Sequence, residues 1–313
     1  MPTPTFRPVT PATRRVFVAA MVFTALSVAM GSLVCATESG MACPTWPGCY
    51  PGQVTPNAHV NPIIEFTHRA SAIATGPLIL AAVLLSFRRP RGERLVRIMP
   101  WVTLVGAAGA AIFGRRVVLY GLPPALGMVD LGMSLVAMVA MTTGAVALLR
   151  TPYAVRIGRT AGLALAGLVT LIAMHVLGIL TAGEGSFTRC MGWPIWRIID
   201  SDQAPGLQWA RIVLAVVATG LIGAACASAW GRRDLHPVAL ALPALWALEL
   251  AVGLAMGGQR ISLVGAAVYS IAAGAIVFAL GLLLALAAVE PLAEEPAADA
   301  PAKGSDAALL RHH

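Results

Sequence analysis

Eight apolar runs, each long enough to cross a bilayer as a helix, leave this chain few alternatives. They lie near 15–36, 62–87, 97–118, 123–149, 159–182, 206–230, 236–257 and 262–288. Lipid offers no partner for a bare N–H or C=O, so a run of roughly 20 apolar residues satisfies its backbone only as a helix. Composition agrees: 58% of the 313 residues are hydrophobic and 12% are charged, about half the charged share of a soluble domain. The mean hydropathy is +0.79. The expected fold class is all-α, a polytopic membrane protein with eight transmembrane helices. Arg14 and Arg15 precede an apolar stretch too long for a signal-peptide core, with no small-residue cleavage site after it. The first run is therefore expected to stay as a helix.

The net charge of +8 does not read as nucleic-acid binding. The arginines sit in short connections between apolar runs, and Lys303 is the one lysine. One set of connections holds Arg7, Arg14, Arg15, Arg88, Arg89, Arg91, Arg94, Arg97, Arg150, Arg156, Arg159, Arg232 and Arg233; the opposite set holds Arg115, Arg116, Arg189, Arg197 and Arg260. The richer set is expected to be cytoplasmic. Both termini then lie inside, and the cysteine-bearing loops face an oxidising exterior. The Ala- and Arg-rich composition resembles that of a high-GC bacterium, so the expected location is the bacterial inner membrane.

A weak internal repeat divides the chain. Cys43-Pro-Thr-Trp46-Pro47 aligns with Cys190-Met-Gly-Trp193-Pro194, which puts Gly31 opposite Gly178 and Ser39 opposite Ser186. The organisation read from this is a segment 1–14, a first four-helix half over 15–150, a second over 151–288, and a tail over 289–313. The two halves are expected to be pseudo-symmetric four-helix bundles with sites between facing helices. The Ala/Pro/Glu-rich tail carries no apolar periodicity and is expected to be disordered.

Polar residues in this setting are the candidates for chemistry, because ionisable groups within membrane spans are costly. Glu65 and His68 open the second run; three residues apart, they share a helix face. They read either as a capping carboxylate with a hydrogen-bonded histidine, or as a site in which neutral imidazole binds haem or another redox cofactor. Asp130 lies inside the fourth run. It is either a structural partner of Arg115 or Arg116 or a site residue. His175, near the outer end of the fifth run, is either a second-half ligand or a donor to a backbone carbonyl. Glu249 is a further buried carboxylate. Cys43 and Cys49 share one outer loop; a disulfide suits that compartment, with free thiols or a metal pair as alternatives. Cys35 and Cys226 read as small packing residues, and Cys190 as a free thiol. Trp46, Trp193, Trp196 and Trp209 read as interfacial anchors, and His59 and His236 as surface.

The run Glu38-Ser-Gly-Met-Ala-Cys43-Pro-Thr-Trp46-Pro47-Gly-Cys49, followed by Glu65-Phe-Thr-His68-Arg69, resembles the haem A synthase family, the cytochrome-oxidase assembly enzymes of bacteria and mitochondria. The resemblance covers most of 15–290. It implies eight spans in two four-helix halves and oxidation of a methyl group of haem O to the formyl group of haem A. It implies haem O as substrate in one half and haem b as cofactor in the other, held by paired histidines from the even-numbered spans. His68 matches the span 2 ligand of haem iron, Glu65 the carboxylate beside it, and Cys43 and Cys49 the outer-loop disulfide. Haem O synthase and cytochrome oxidase subunits become expected partners, beside the lipid bilayer. The departures are specific. Asp130 stands where span 4 should supply a histidine, Ala210 where span 6 should, and Tyr269 where span 8 should. Tyrosine can ligate haem and alanine cannot; His175 is the one available substitute in the second half. The alternatives are a non-catalytic haem-binding or oxidase-assembly relative, and a transporter with a midplane carboxylate at Asp130 or Glu249.

Overall fold

The computed structural model describes residues 8–120, 123–181, 191–194, 205–256 and 262–292. Eight long helices account for most of them: α1 Pro11–Ala36, α2 Val60–Ser86, α3 Arg94–Tyr120, α4 Pro124–Leu149, α5 Arg159–Thr181, α6 Pro205–Ala229, α7 His236–Met256 and α8 Leu263–Ala288. Each is long and apolar enough to cross a membrane, so the chain is a multi-pass helical membrane protein. Local signals set several ends. Thr10 caps α1, accepting from Thr13 N at 3.2 Å, with Pro11 in the first turn. Ser262 caps α8, accepting from Gly265 N at 3.0 Å. Hydroxyl or proline caps of this kind satisfy or remove first-turn N–H groups that lack a helical partner.

The helices pair along the chain: α1 with α2, α3 with α4, α5 with α6, α7 with α8. Contacts of α1 with α4 and of α5 with α8 close each set, and the sets meet where α8 packs on α1 and α4. Small residues allow the close approaches. At Gly106 of α3 an added Cβ would lie 2.8 Å from the Met133 carbonyl oxygen of α4, so only glycine lets these backbones come this near.

The chain beyond α8 departs from the disordered tail expected from residue 289. Tyr153–Val155 (β1) and Val289–Pro291 (β2) form an antiparallel pair. Val289 is fully buried beside Phe17, Val96 and Leu148. Arg150 donates to the Leu286 and Val289 carbonyls at 2.6 and 2.7 Å, a cation on the carbonyls at the end of α8, where the helix dipole favours positive charge. One buried valine and this clamp order what composition alone leaves loose. Residues 293–313 lie outside the described residues, as do Cys190, Trp196, Arg189, Arg197 and Arg260.

Arg150 also donates to Asp234 Oδ2 at 3.0 Å, and Arg232 donates to the same oxygen at 3.1 Å. Partial burial pushes the Asp234 carboxyl up, but the hydrogen bonds from Arg232 and Arg150, and their charge, outweigh it and hold its pKa below the ordinary value. A depressed pKa adds stability above the unfolded value of about 4 and loses it as pH falls through the folded value. The Asp234 side chain is 44% exposed, so the gain is screened to under about 1 kcal/mol. Asp234→Asn is therefore expected to lower the unfolding temperature slightly at neutral pH and to leave it unchanged once the pH lies below the folded-state value, measured by thermal unfolding across pH in detergent.

Candidate functional site

Within the first four helices lies a cavity of about 790 Å³, inside the range of roughly 300–1,000 Å³ usual for small-molecule and cofactor sites. Its walls owe their space to small residues: Gly31 on α1, Ala72 and Gly76 on α2, Ala107 and Ala111 on α3. Glu65, His68 and Asp130 all line it. The structure thus brings together three of the residues singled out from sequence, from α2 and α4.

His68 packs its ring against Gly31, where an added Cβ would sit 3.2 Å from Cε1. The Ser27 backbone carbonyl neighbours the imidazole, yet Nδ1 is buried and makes no hydrogen bond. A polar seam runs below it: Ser71 donates to the His68 carbonyl at 2.7 Å, and Ser27 and Thr75 pair their hydroxyls at 2.9 Å. Asp130 has no ion pair among the described residues. Its expected partner Arg115 instead lies over the Trp46 ring at 5.7 Å, a cation–π contact at the cavity wall. Trp46 is therefore a wall residue as well as an exposed one.

The cysteine loop closes one end of the cavity. Cys43 and Cys49 form a disulfide. Arg69 fastens the loop to α2: Nη1 donates to the Thr45 carbonyl at 2.5 Å and to Gly48 at 2.8 Å, Nη2 to Cys43 at 2.8 Å. Its Nε donates to Glu65 Oε1 at 2.8 Å, with both side chains buried. Glu65 is thus both a cavity carboxylate and the counter-charge of the clamp. Sequence reasoning named Glu65 and missed Arg69 as a positioning residue; the i, i+4 spacing of the two was the available signal. Cys35, expected to be a small packing residue, is also disulfide-bonded; Cys226 is free and buried, as expected.

The second four helices use the same loop differently. Gly192, aligned with Thr45, receives Arg211 Nη2 on its carbonyl at 2.9 Å, the counterpart of the Arg69 clamp. Here, however, the loop is drawn inward. Met191 and Trp193 are buried in the core with Leu168, Leu171 and Met174, and Trp193 packs edge-on against His175 and Trp246, each at 6.4 Å. Glu249 Oε1 accepts from Trp193 N at 3.0 Å, and Tyr269 donates its hydroxyl to the Trp193 carbonyl at 2.5 Å. His175 Nδ1 accepts from Gly192 N at 3.3 Å. A neutral imidazole that accepts at Nδ1 carries its proton on Nε2 and has no lone pair left there. His175 and Tyr269 thus lie apart from the His68 cavity, engaged with their own loop. Ala210 is exposed and brings no ligand atom. The interfacial reading of Trp193 is corrected by its burial, because its two backbone hydrogen bonds pull it into the helix core. Among the described residues no group of three or more His, Cys, Asp or Glu side chains is placed to hold a metal ion.

No family model matches the chain. A haem A synthase of Exiguobacterium sp. is 26% identical over 174 residues, 54% of this chain and 58% of that protein. Haem A synthases of Bacillus mycoides and Bacillus cereus are 30% identical over 108 residues, 34% of this chain and 35% of theirs. The chain therefore spans about a third to just over half the length of the curated relatives it matches. With eight spanning helices and a disulfide-closed loop clamped over a histidine-bearing cavity, the chain is similar to haem A synthases over part of its length.

Proposed function

We propose that this is a haem A synthase-type protein of the bacterial inner membrane, both termini cytoplasmic, which takes haem O into the first-half cavity and oxidises its methyl group toward the formyl of haem A. The observation that carries the reading is a cavity of about 790 Å³ whose wall presents a histidine with an uncommitted ring nitrogen. Iron supplies the redox chemistry; the chain supplies ligand, orientation and exclusion of water. His68 is the candidate iron ligand. A ligating histidine commonly donates its other ring N–H to a carbonyl, and Ser27 offers one beside the ring. Gly31 leaves the imidazole room to lie against α1. Asp130, without an ion pair among the described residues, is the group available to accept a proton from substrate. Glu65 shares its charge with Arg69 and holds the loop over the cavity, a positioning role. Arg115 presents a cation at the wall, suited to a carboxylate of the porphyrin edge.

The described residues of the second half do not fit a haem b. Among the described residues its tyrosine hydroxyl and the Nδ1 of its histidine are bonded to the loop backbone, and Met191 and Trp193 fill the core. No step is assigned to that half. That misfit, with Asp130 in place of a histidine, supports a second reading: a haem-binding or oxidase-assembly relative without turnover, working with haem O synthase or oxidase subunits. One experiment separates the two. The purified chain is loaded with haem O, supplied with reductant and oxygen, and its haem is extracted and chromatographed. A hydroxylated or formylated product supports the synthase reading. Haem O recovered unchanged, with its bound spectrum intact, supports the carrier. No bound haem at all would sink both.

A further inference from the structure

At the Arg-rich end of α2 and α3, the end of α2 opposite His68, a smaller cavity of about 270 Å³ is lined by Arg91, Arg94, Arg97, Phe87, Ile98 and Trp101, among others. Residues 88–97 hold five arginines and a single acid, Glu93. That acid is already taken: Arg89 grips both its oxygens at 2.8 Å, and the pair is buried. Arg91, Arg94 and Arg97 make no ion pair among the described residues. Three guanidinium groups therefore converge on one pocket with no counter-charge. The positive-inside bias explains arginines at this end of the spans; it does not explain why three of them line one concavity whose acid has been removed to a separate pair.

The other wall is apolar. Phe87 and Trp101 pack edge-to-face at 5.7 Å across the α2–α3 junction, and Ile98 stands beside them, half exposed. The exposed apolar surface continues away from the pocket through Leu84 and Leu80 on α2 and Val105 on α3. Phosphate-matching cations on one side and a strip of aromatic and aliphatic side chains running along the spans on the other describe an amphiphile with an anionic head. We propose that this pocket binds an anionic phospholipid, its phosphate among Arg91, Arg94 and Arg97 and its acyl chains along Leu84, Leu80 and Val105. The arginine fork suits phosphate oxygens, tryptophan suits the headgroup level, and basic pockets between spanning helices are a recurrent lipid-headgroup site. A free phosphate would meet the same arginines in water, where screening weakens the attraction, and would gain nothing from Phe87, Ile98 and Trp101.

The test uses the full chain in a neutral maltoside detergent, followed by thermal unfolding. Dioleoyl phosphatidylglycerol is added in parallel with dioleoyl phosphatidylcholine and with inorganic phosphate. At about 100 times the dissociation constant, phosphatidylglycerol is expected to raise the midpoint by roughly 5–10 °C, while the other two leave it in place. The R91Q/R94Q/R97Q variant is expected to lose that shift. An equal shift with phosphatidylcholine would mean general lipid solvation and overturn the assignment; a shift with phosphate alone would make it a free-anion site and overturn it too. So would a triple variant that still responds. If the triple variant fails to fold, native mass spectrometry of R94Q counts retained phosphatidylglycerol against the parent chain; undiminished occupancy overturns the proposal, and a several-fold loss supports it.

Discussion

His68→Ala is expected to strip the protein of haem. The imidazole is the one histidine on the wall of the large first-half cavity, and the other histidine buried in the described bundle, His175, is committed to Gly192. Outer-shell partners of a metal ligand typically contribute 10–100-fold in affinity; removal of the ligand itself should exceed that, leaving less than about a tenth of the parent haem content at equal loading. The measurement is pyridine haemochrome per folded chain, with thermal unfolding run beside it. His68 contributes packing against Gly31 only at one edge of its ring, so the variant should remain folded. Imidazole added to the purified variant should restore part of the haem, because the truncation leaves a hole of the ligand's own shape. Unchanged haem content in His68→Ala would sink the ligand role, and with it the assignment of the cavity to haem.

The second large effect is a contrast between two tryptophans that the internal repeat makes equivalent. Trp46 is 48% exposed and Trp193 is 4% exposed. Trp193→Ala should cost about 3–5 kcal/mol, the range for removing a large aromatic from a packed core. Trp46→Ala should cost under about 1 kcal/mol, because half its surface is already outside and the Arg115 contact is a surface cation–π pair. The two are compared by unfolding in the same detergent. Similar costs would mean that the second-half loop is not the interior element described above. The same burial bears on haem count. Ala210→His combined with Tyr269→His should not bring a second haem, since position 210 is exposed and an imidazole at 269 would meet the Gly192–Trp193 stretch rather than open space. A haem-to-chain ratio approaching two in that double variant would overturn this reading.

The eight spans were legible because lipid leaves an apolar run one way to satisfy its backbone, and the helices begin and end within a few residues of the apolar limits. The Cys43–Cys49 loop was legible for a similar reason: two cysteines six residues apart on one side of a span have few partners. Glu65, His68 and Asp130 could be named as intramembrane polar groups, and they do share a cavity. What could not be read is how backbone carbonyls are used. Arg69 and Arg211 look alike in sequence, each in the opening turns of its helix, and both clamp a loop; but one loop stays at the rim and the other enters the core. That difference depends on Glu249 and Tyr269 reaching the same stretch of main chain from α7 and α8, contacts with no local sequence signature. The Arg115–Asp130 pair failed for a related reason: spacing along the chain cannot tell that the guanidinium finds an aromatic face first.

The strand that follows α8 has a consequence for how the chain is made. Tyr153–Val155 pairs with Val289–Pro291, so a segment emerging midway through synthesis has no partner until the last helix has been delivered. Arg150, too, waits for the Leu286 and Val289 carbonyls. Until then the connection between the fourth and fifth spans is held by neither ribbon nor clamp. Closure of this ribbon therefore has to follow delivery of α8.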